Sequence, residues 1–247
     1  MNRRGFEAAH EAARYDAWYD SPLGAACLQS ELALLRRAAR ALAGKIVLEV
    51  GCGSGRFLLA LAAGTADAVG VDRDTAMLDL ARRHTPGSTA QRCTWMAGDA
   101  SALPLADGVF DVVFESAVLC FCTDPVAIIR EMVRVCRPGG TVLLGELNPY
   151  SPWQWWRRLK AAFGVGPFQG ASWHWPRDIL SALAASGCEV EWVGRTIFSP
   201  PVNIENVWWW RSMTEWLGGR FWPWAGAYYV VSGTKGRSVN ISVRTGT

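Results

Sequence analysis

Three glycines spaced two apart, with an acid two residues ahead of them, form the part of this sequence best arranged for chemistry: Glu49-x-Gly51-x-Gly53-x-Gly55. Lacking Cβ atoms, these glycines let the chain turn sharply and let a ligand approach its backbone. The apolar run 47–50 precedes them and the helix-like 57–63 follows, the order of the first strand, turn and helix of a nucleotide-type site. Cys52 lies inside the turn. A dinucleotide fingerprint would carry a further glycine at position 56, where this chain has Arg56, and the Gly-Lys-Ser/Thr ending of a phosphate-binding P-loop is absent. Glu49 at a strand's carboxyl end is a poor neighbour for phosphate and a good one for a cation.

Further polar residues follow in an ordered series. Val69-Gly-Val-Asp72 places an acid about twenty residues beyond the first glycine, at the end of a second strand, where a carboxylate can accept both hydroxyls of a ribose. Gly98-Asp99-Ala100 closes a third strand, and Phe110-Asp-Val-Val113 opens a fourth that runs on to Glu115. Arg134-Val-Cys-Arg-Pro-Gly-Gly140 forms the turn into a fifth. Together with the glycine turn, these motifs resemble, in order and spacing, those of the class I S-adenosylmethionine (SAM)-dependent methyltransferases, especially the ubiquinone/menaquinone-biosynthesis (methyltransferase type 11) group. The resemblance covers residues 15–148 well and the remainder in outline.

That resemblance implies a cationic, phosphate-free cofactor, SAM, leaving as S-adenosylhomocysteine. It implies a cofactor site of Glu49, Gly51, Cys52, Gly53, Gly55, Asp72, Arg73, Met77, Asp99, Ala100 and Glu115, with Asp72 on ribose and Asp99 on the adenine amino group. Structural readings stand beside these: Asp74 suits the N-cap of the next helix better than Asp72 does, and Met77 serves a core equally well. The segment after the fourth strand faces the acceptor in that family, which makes Cys120 a substrate-site candidate, with Tyr15, Tyr19, Asn148 and Trp173. Glu115, His174 and Tyr19 are candidates for a general base, needed only if the acceptor must lose a proton. Cys120-x-Cys122 is too closely spaced, and too poor in ligands, for a zinc site, so no metal is expected.

The elements that must position these residues follow from periodicity. Tyr15, Trp18 and Tyr19 fall on one helical face, which suits either a packed helix or one that folds over the cofactor. A helix is expected over 26–43, stopped by Gly44. Strands are expected over 45–50, 68–71, 93–96, 110–115, 141–147, 189–198 and 227–233, with helices over 75–83 and 126–136 between them. The expected fold is an α/β, doubly wound, seven-stranded sheet, parallel except for one antiparallel edge strand, in a single domain over 1–247. Residues 1–43 form an N-terminal helical cap, and aromatic insertions over 149–176 and 200–225 lie on the acceptor side.

Of 14 tryptophans, 12 lie between Trp153 and Trp224, so the composition shifts near residue 149. Ser151-Pro152 suits the start of a helix over 153–163, with Trp155, Trp156, Leu159 and Phe163 on one face as a lid over an apolar acceptor or a weak membrane-surface contact. Residues 164–170 read as loop and 237–247 as a polar tail. The net charge of +3 gives no case for nucleic acid, and the tryptophans are not interleaved with a basic stripe. Seven cysteines, mostly within apolar runs, fit free thiols in the cytosol. The expected function is methyl transfer from SAM to a small or lipophilic, including aromatic, acceptor. The alternative is a SAM-binding sensor or interaction protein without transferase activity; acceptor identity and oligomeric state do not follow from the sequence.

Overall fold

A computed structural model of the chain describes residues 3–162, 172–199 and 208–236. The expected loop 164–170 and tail 237–247 lie outside them, as do the side chains of Trp156, Phe163 and Trp208–Trp210. Seven strands form one sheet: β1 (Ile46–Val50), β2 (Asp67–Asp72), β3 (Cys93–Ala97), β4 (Phe110–Ser116), β5 (Cys136–Leu147), β6 (Cys188–Thr196) and β7 (Tyr228–Lys235). Their order is β3-β2-β1-β4-β5-β7-β6. β1 to β5 are mutually parallel, and β7 runs antiparallel to both β5 and β6. The antiparallel strand thus sits one place in from the edge rather than at it, because β6 pairs outside it. The central strands are apolar on both faces, as a sheet covered on both sides by helices requires.

The helices are α1 (Arg3–Trp18), α2 (Pro22–Ala39), α3 (Arg56–Leu61), α4 (Thr75–His84), α5 (Pro125–Val135), α6 (Pro152–Ala162), α7 (Pro176–Ala185) and α8 (Trp208–Phe221). Asp74 and Asp124 cap α4 and α5, accepting from the backbone N–H groups of Ala76 and Ala127. Ser21 caps α2 and Pro22 takes its first position. α2 ends at Ala39, ahead of the expected Gly44; Arg40, with φ of 60°, stops it, and Gly44 forms the turn into β1. One apolar cluster joins α2, α3 and the β1–β4–β5–β7 face; the other joins α5 and α7 to the opposite face.

α6 begins where expected but turns a different face inward. Gln154 is fully buried and Trp153 half-buried, whereas Trp155 is 71% and Leu159 51% exposed. Arg157, one turn beyond Gln154, also has its guanidinium buried. The apolar stripe read from the sequence is therefore on the outside, and the helix directs polar groups toward the sheet.

Candidate active site

The glycine turn crosses the carboxyl end of β1. The N–H groups of Gly51 and Cys52 donate to the Val71 carbonyl at 2.7 and 3.0 Å, tying the turn to β2. Gly53 has φ of +51° and nothing within 4 Å of the position a Cβ would take, so its backbone faces open space. Gly55 has φ of +77°, and a Cβ there would run into the Trp95 ring and Ala81. At the tip of β2, Asp72 accepts from the Gly53 N–H at 2.7 Å through Oδ2 and from the Asp74 N–H at 2.8 Å through Oδ1. Cys52 is buried, its sulfur packed against Gly70 of β2.

Glu49 is buried behind this turn. Its Oε2 accepts the Leu58 N–H at 2.9 Å, satisfying one of the first-turn donors of α3. Burial drives its carboxyl well above the ordinary range, and the Leu58 bond opposes that only in part. The remaining residues expected at the cofactor ring the same sheet edge. Arg73 is exposed and Met77 half-buried on the first turns of α4. Asp99 is exposed beyond β3, and bonds from the Ser101 hydroxyl and N–H hold its carboxyl below the usual range. Ala100, beside it, is half-buried.

α1 is clamped onto the glycine turn. Asp16 accepts from the Ser54 hydroxyl at 2.6 Å and from Arg56 Nε at 2.6 Å and Nη2 at 3.0 Å, and His84 Nε2 lies 3.3 Å away. Burial alone would raise Asp16, but the Arg56 and Ser54 bonds outweigh it and lower its pKa. Arg56 also reaches Asp20 at 2.8 Å. On either side of Asp16, Tyr15 and Tyr19 turn inward, their hydroxyls 3.2 Å apart and the Tyr19 ring edge-on to Phe57. Burial raises both phenols.

A short 3-10 turn (Leu119–Phe121) follows β4 and is held from below by two acids. Glu115 Oε2 accepts the Val118 N–H at 3.0 Å and Glu146 Oε1 the Leu119 N–H at 2.8 Å. Glu115 pairs in register with Leu144, which puts Glu146, two residues on, on the same face of the sheet. Desolvation and repulsion from Glu146 push Glu115 well above its ordinary value, and burial lifts Glu146 to about 7. From above, the Ser172 N–H donates to the Cys120 carbonyl at 2.7 Å and His174 Nε2 to the Leu119 carbonyl at 3.0 Å. Trp173, between them, packs against the core. Burial raises the Cys120 thiol strongly.

Asn148 is corrected by its surroundings. It is fully buried, its Nδ2 donates to the Trp224 and Gly226 carbonyls at 2.7 Å each, and its Oδ1 accepts from the Tyr150 N–H. Both donor hydrogens are spent on tying β5 to the chain before β7, leaving none for an acceptor.

Glu31 escapes the motif reading. On α2 it shares the inward face with Cys27, Leu35 and Ala38, an acid at helical spacing in an otherwise apolar stripe, which is the signal that marks it in the sequence. It is 9% exposed and accepts no hydrogen bond among the described residues. Burial lifts its carboxyl to about 8, offset in part by Arg157. Its charge also acts on Tyr15, Tyr19 and Tyr228. The Tyr228 hydroxyl bonds the Ser116 hydroxyl at 2.8 Å.

Residues 48–144, from β1 through most of β5, match the family model described as a methyltransferase domain. Over these residues the chain is similar to a methyltransferase domain. It is 34% identical over 202 residues to an uncharacterized protein of Mycobacterium tuberculosis, an alignment covering 78% of this chain and 64% of that relative. The domain is also 40% identical over 121 residues to the demethylmenaquinone methyltransferase of Roseiflexus castenholzii, covering 45% of this chain and 50% of the relative. In fold it is similar to a Thermotoga maritima structure described as a SAM-dependent methyltransferase, possible histamine N-methyltransferase. The TM-score is 0.71 at 20% identity, with 92% and 97% of the two chains covered. This chain spans less than two thirds of the length of the mycobacterial relative. Among the described residues, no helix is long and apolar enough to cross a membrane, and no group of three or more His, Cys, Asp or Glu is placed to hold a metal ion.

Proposed function

We propose that the chain is a SAM-dependent methyltransferase acting on a small or lipophilic acceptor. The observation that carries this is the join of the glycine turn to Asp72: the carboxylate lies on the Gly53 N–H while the space above Gly53 is open. The donor set fits SAM. Asp72 and Asp99 stand at the tips of neighbouring strands, where ribose hydroxyls and an adenine amino group need acceptors. Gly51, Gly53 and Gly55 with Cys52 supply the backbone bed, and Arg73, Met77 and Ala100 line the adenine side.

SAM, when bound, supplies a methyl group already activated by its sulfonium. The protein's part is alignment and the exclusion of water, worth up to about 7–11 kcal/mol in effective-molarity terms. Tyr15 and Tyr19 roof the methyl position from α1, and Cys120 and Trp173 wall it on the acceptor side. Glu115, in this reading, is part of the support beneath the Leu119–Phe121 turn, and His174 fastens that turn from above. Trp155, Trp216, Trp222 and Trp224, all more than half exposed, favour an acceptor taken up from an apolar phase such as a membrane surface. The seven cysteines, none of them in a disulfide among the described residues, fit a cytosolic enzyme.

Calorimetric titration with SAM and S-adenosylhomocysteine tests the reading. Both should bind, and Asp72→Ala should weaken both. If neither ligand binds the wild type, the assignment is wrong; binding without transfer to any member of an acceptor panel would favour a SAM-binding sensor instead.

A further inference from the structure

Beneath α6 lie polar groups that neither the cofactor site nor the core uses. Gln154 is fully buried, and among the described residues neither its carboxamide oxygen nor its nitrogen has a hydrogen-bond partner. A buried amide left so would cost on the order of 1–3 kcal/mol for each unmet group, so it marks a place where something else binds. Arg157 lies three residues on, hence on the same face of the helix, and its charge interacts with Glu31 and Cys120. Glu31 in turn interacts with Tyr15, Tyr19 and Tyr228. Tyr228 bonds Ser116, the last residue of β4, and Tyr15 senses Asp72 at the end of β2. These residues gather at the carboxyl ends of the strands that carry the cofactor residues.

We propose, resting on the methyl-transfer function assigned to this chain, that Glu31, Gln154 and Arg157 form the acceptor subsite and that Glu31 is the proton-accepting catalytic residue for a neutral hydroxyl acceptor. Gln154 hydrogen-bonds the acceptor's polar substituent. The acceptor oxygen gives its proton to the Glu31 carboxylate and an electron pair to the methyl carbon, while the methyl–sulfur bond breaks and its pair stays on sulfur. Arg157 favours the negative charge that develops on oxygen, and the proton on Glu31 later passes to solvent. A carboxyl lifted to about 8 is matched to this task near neutral pH. Of the other proton-accepting candidates, His174 Nε2 is committed to the Leu119 carbonyl, and Glu115, whose Oε2 takes the Val118 N–H and whose Oε1 has no partner among the described residues, lies beneath the Leu119–Phe121 turn rather than beside Gln154 and Arg157 on α6. Glu31 accepts no hydrogen bond among the described residues.

The test uses the full chain and 2-naphthol as the probe hydroxyl. With S-adenosylhomocysteine saturating, 2-naphthol should bind the wild type and bind Gln154→Leu about tenfold more weakly. Affinity for S-adenosylhomocysteine should be unchanged in Gln154→Leu and Glu31→Gln, which shows that both fold. With SAM, Glu31→Gln should lower kcat for transfer to 2-naphthol by about 10²-fold or more at little-changed KM. It should also abolish the rise of kcat with pH through about 8, and Glu31→Asp should restore part of both. Intact S-adenosylhomocysteine binding without 2-naphthol binding, or wild-type turnover by Glu31→Gln, would overturn the subsite and leave the cofactor assignment standing. Failure of S-adenosylhomocysteine to bind the wild type would overturn the cofactor assignment itself.

Discussion

Asp16 of α1 grips Arg56 of the glycine turn through two hydrogen bonds, Nε to Oδ1 at 2.6 Å and Nη2 to Oδ2 at 3.0 Å. Arg56 occupies the position where a dinucleotide site has its packing glycine, and here it is the anchor for the N-terminal cap. Asp16→Ala leaves Arg56 and Ser54 without their shared partner. The loss should be about 1.5–3 kcal/mol of unfolding free energy, the worth of hydrogen bonds to a charged group. Because Tyr15 and Tyr19 flank Asp16, SAM affinity should fall as well. Denaturant unfolding and calorimetry check the two effects separately, and unchanged SAM affinity would mean that α1 does not contribute to cofactor binding.

Glu49→Ala should act through the fold before it acts through the cofactor. Its carboxyl holds the Leu58 N–H at the start of α3, and removing it orphans a buried donor at a cost of about 1–3 kcal/mol. Glu49→Gln keeps an acceptor oxygen and should retain most of that stability. Thermal melts of the two variants make the comparison; equal losses would show that charge rather than the hydrogen bond is what matters at this position.

Gly145 and Tyr228 are matched across the β5–β7 pair. A Cβ at Gly145 would overlap the Tyr228 hydroxyl. Gly145→Ala should destabilise by about 1–3 kcal/mol through overpacking, and Tyr228→Phe, which removes that hydroxyl but leaves the ring carbon close, should recover part of the loss in the double variant. Additive losses measured by denaturant unfolding would argue against the clash.

Raised carboxyl pKa values dictate the pH dependence of stability. Glu31 is lifted to about 8 and Glu146 to about 7, from 4.5, so the folded chain holds protons that the unfolded chain releases. Their contribution is fully present below pH 4.5 and is lost as pH rises through the folded values. Urea midpoints should therefore fall between pH 5 and pH 9. Glu146→Gln, which keeps the acceptor for the Leu119 N–H, should flatten the lower part of that fall and gain on the order of 1–3 kcal/mol over wild type at pH 9. A profile identical to wild type would show that Glu146 stays ionised in the folded chain.

Much of the fold was legible because its signals are local. Glycines at fixed spacing, apolar runs for strands buried on two faces, and Asp74, Asp124 and Pro125 at helix starts each depend on a few neighbouring residues. Asp72 could be placed at a strand end for the same reason. The order of these signals carried the resemblance, and with it the expected sheet. Three features depended on contacts between distant segments. Which face of α6 turns inward is not set by its own apolar stripe: Gln154 is buried and the Arg157 guanidinium turns toward Glu31 of α2, while Trp155 and Leu159 stay outside although they are the more apolar residues. Asn148 looked available at a sheet edge until the chain before β7 took both its N–H groups. Glu115 and Glu146 lie 31 residues apart in sequence, and only the pairing of β4 with β5 puts them on one face of the sheet, where the charge of Glu146 adds to burial in raising Glu115. Spacing along the chain encodes the elements and the cofactor motifs. The protonation of a buried acid and the inward face of an amphipathic helix are set by neighbours that only the tertiary structure supplies.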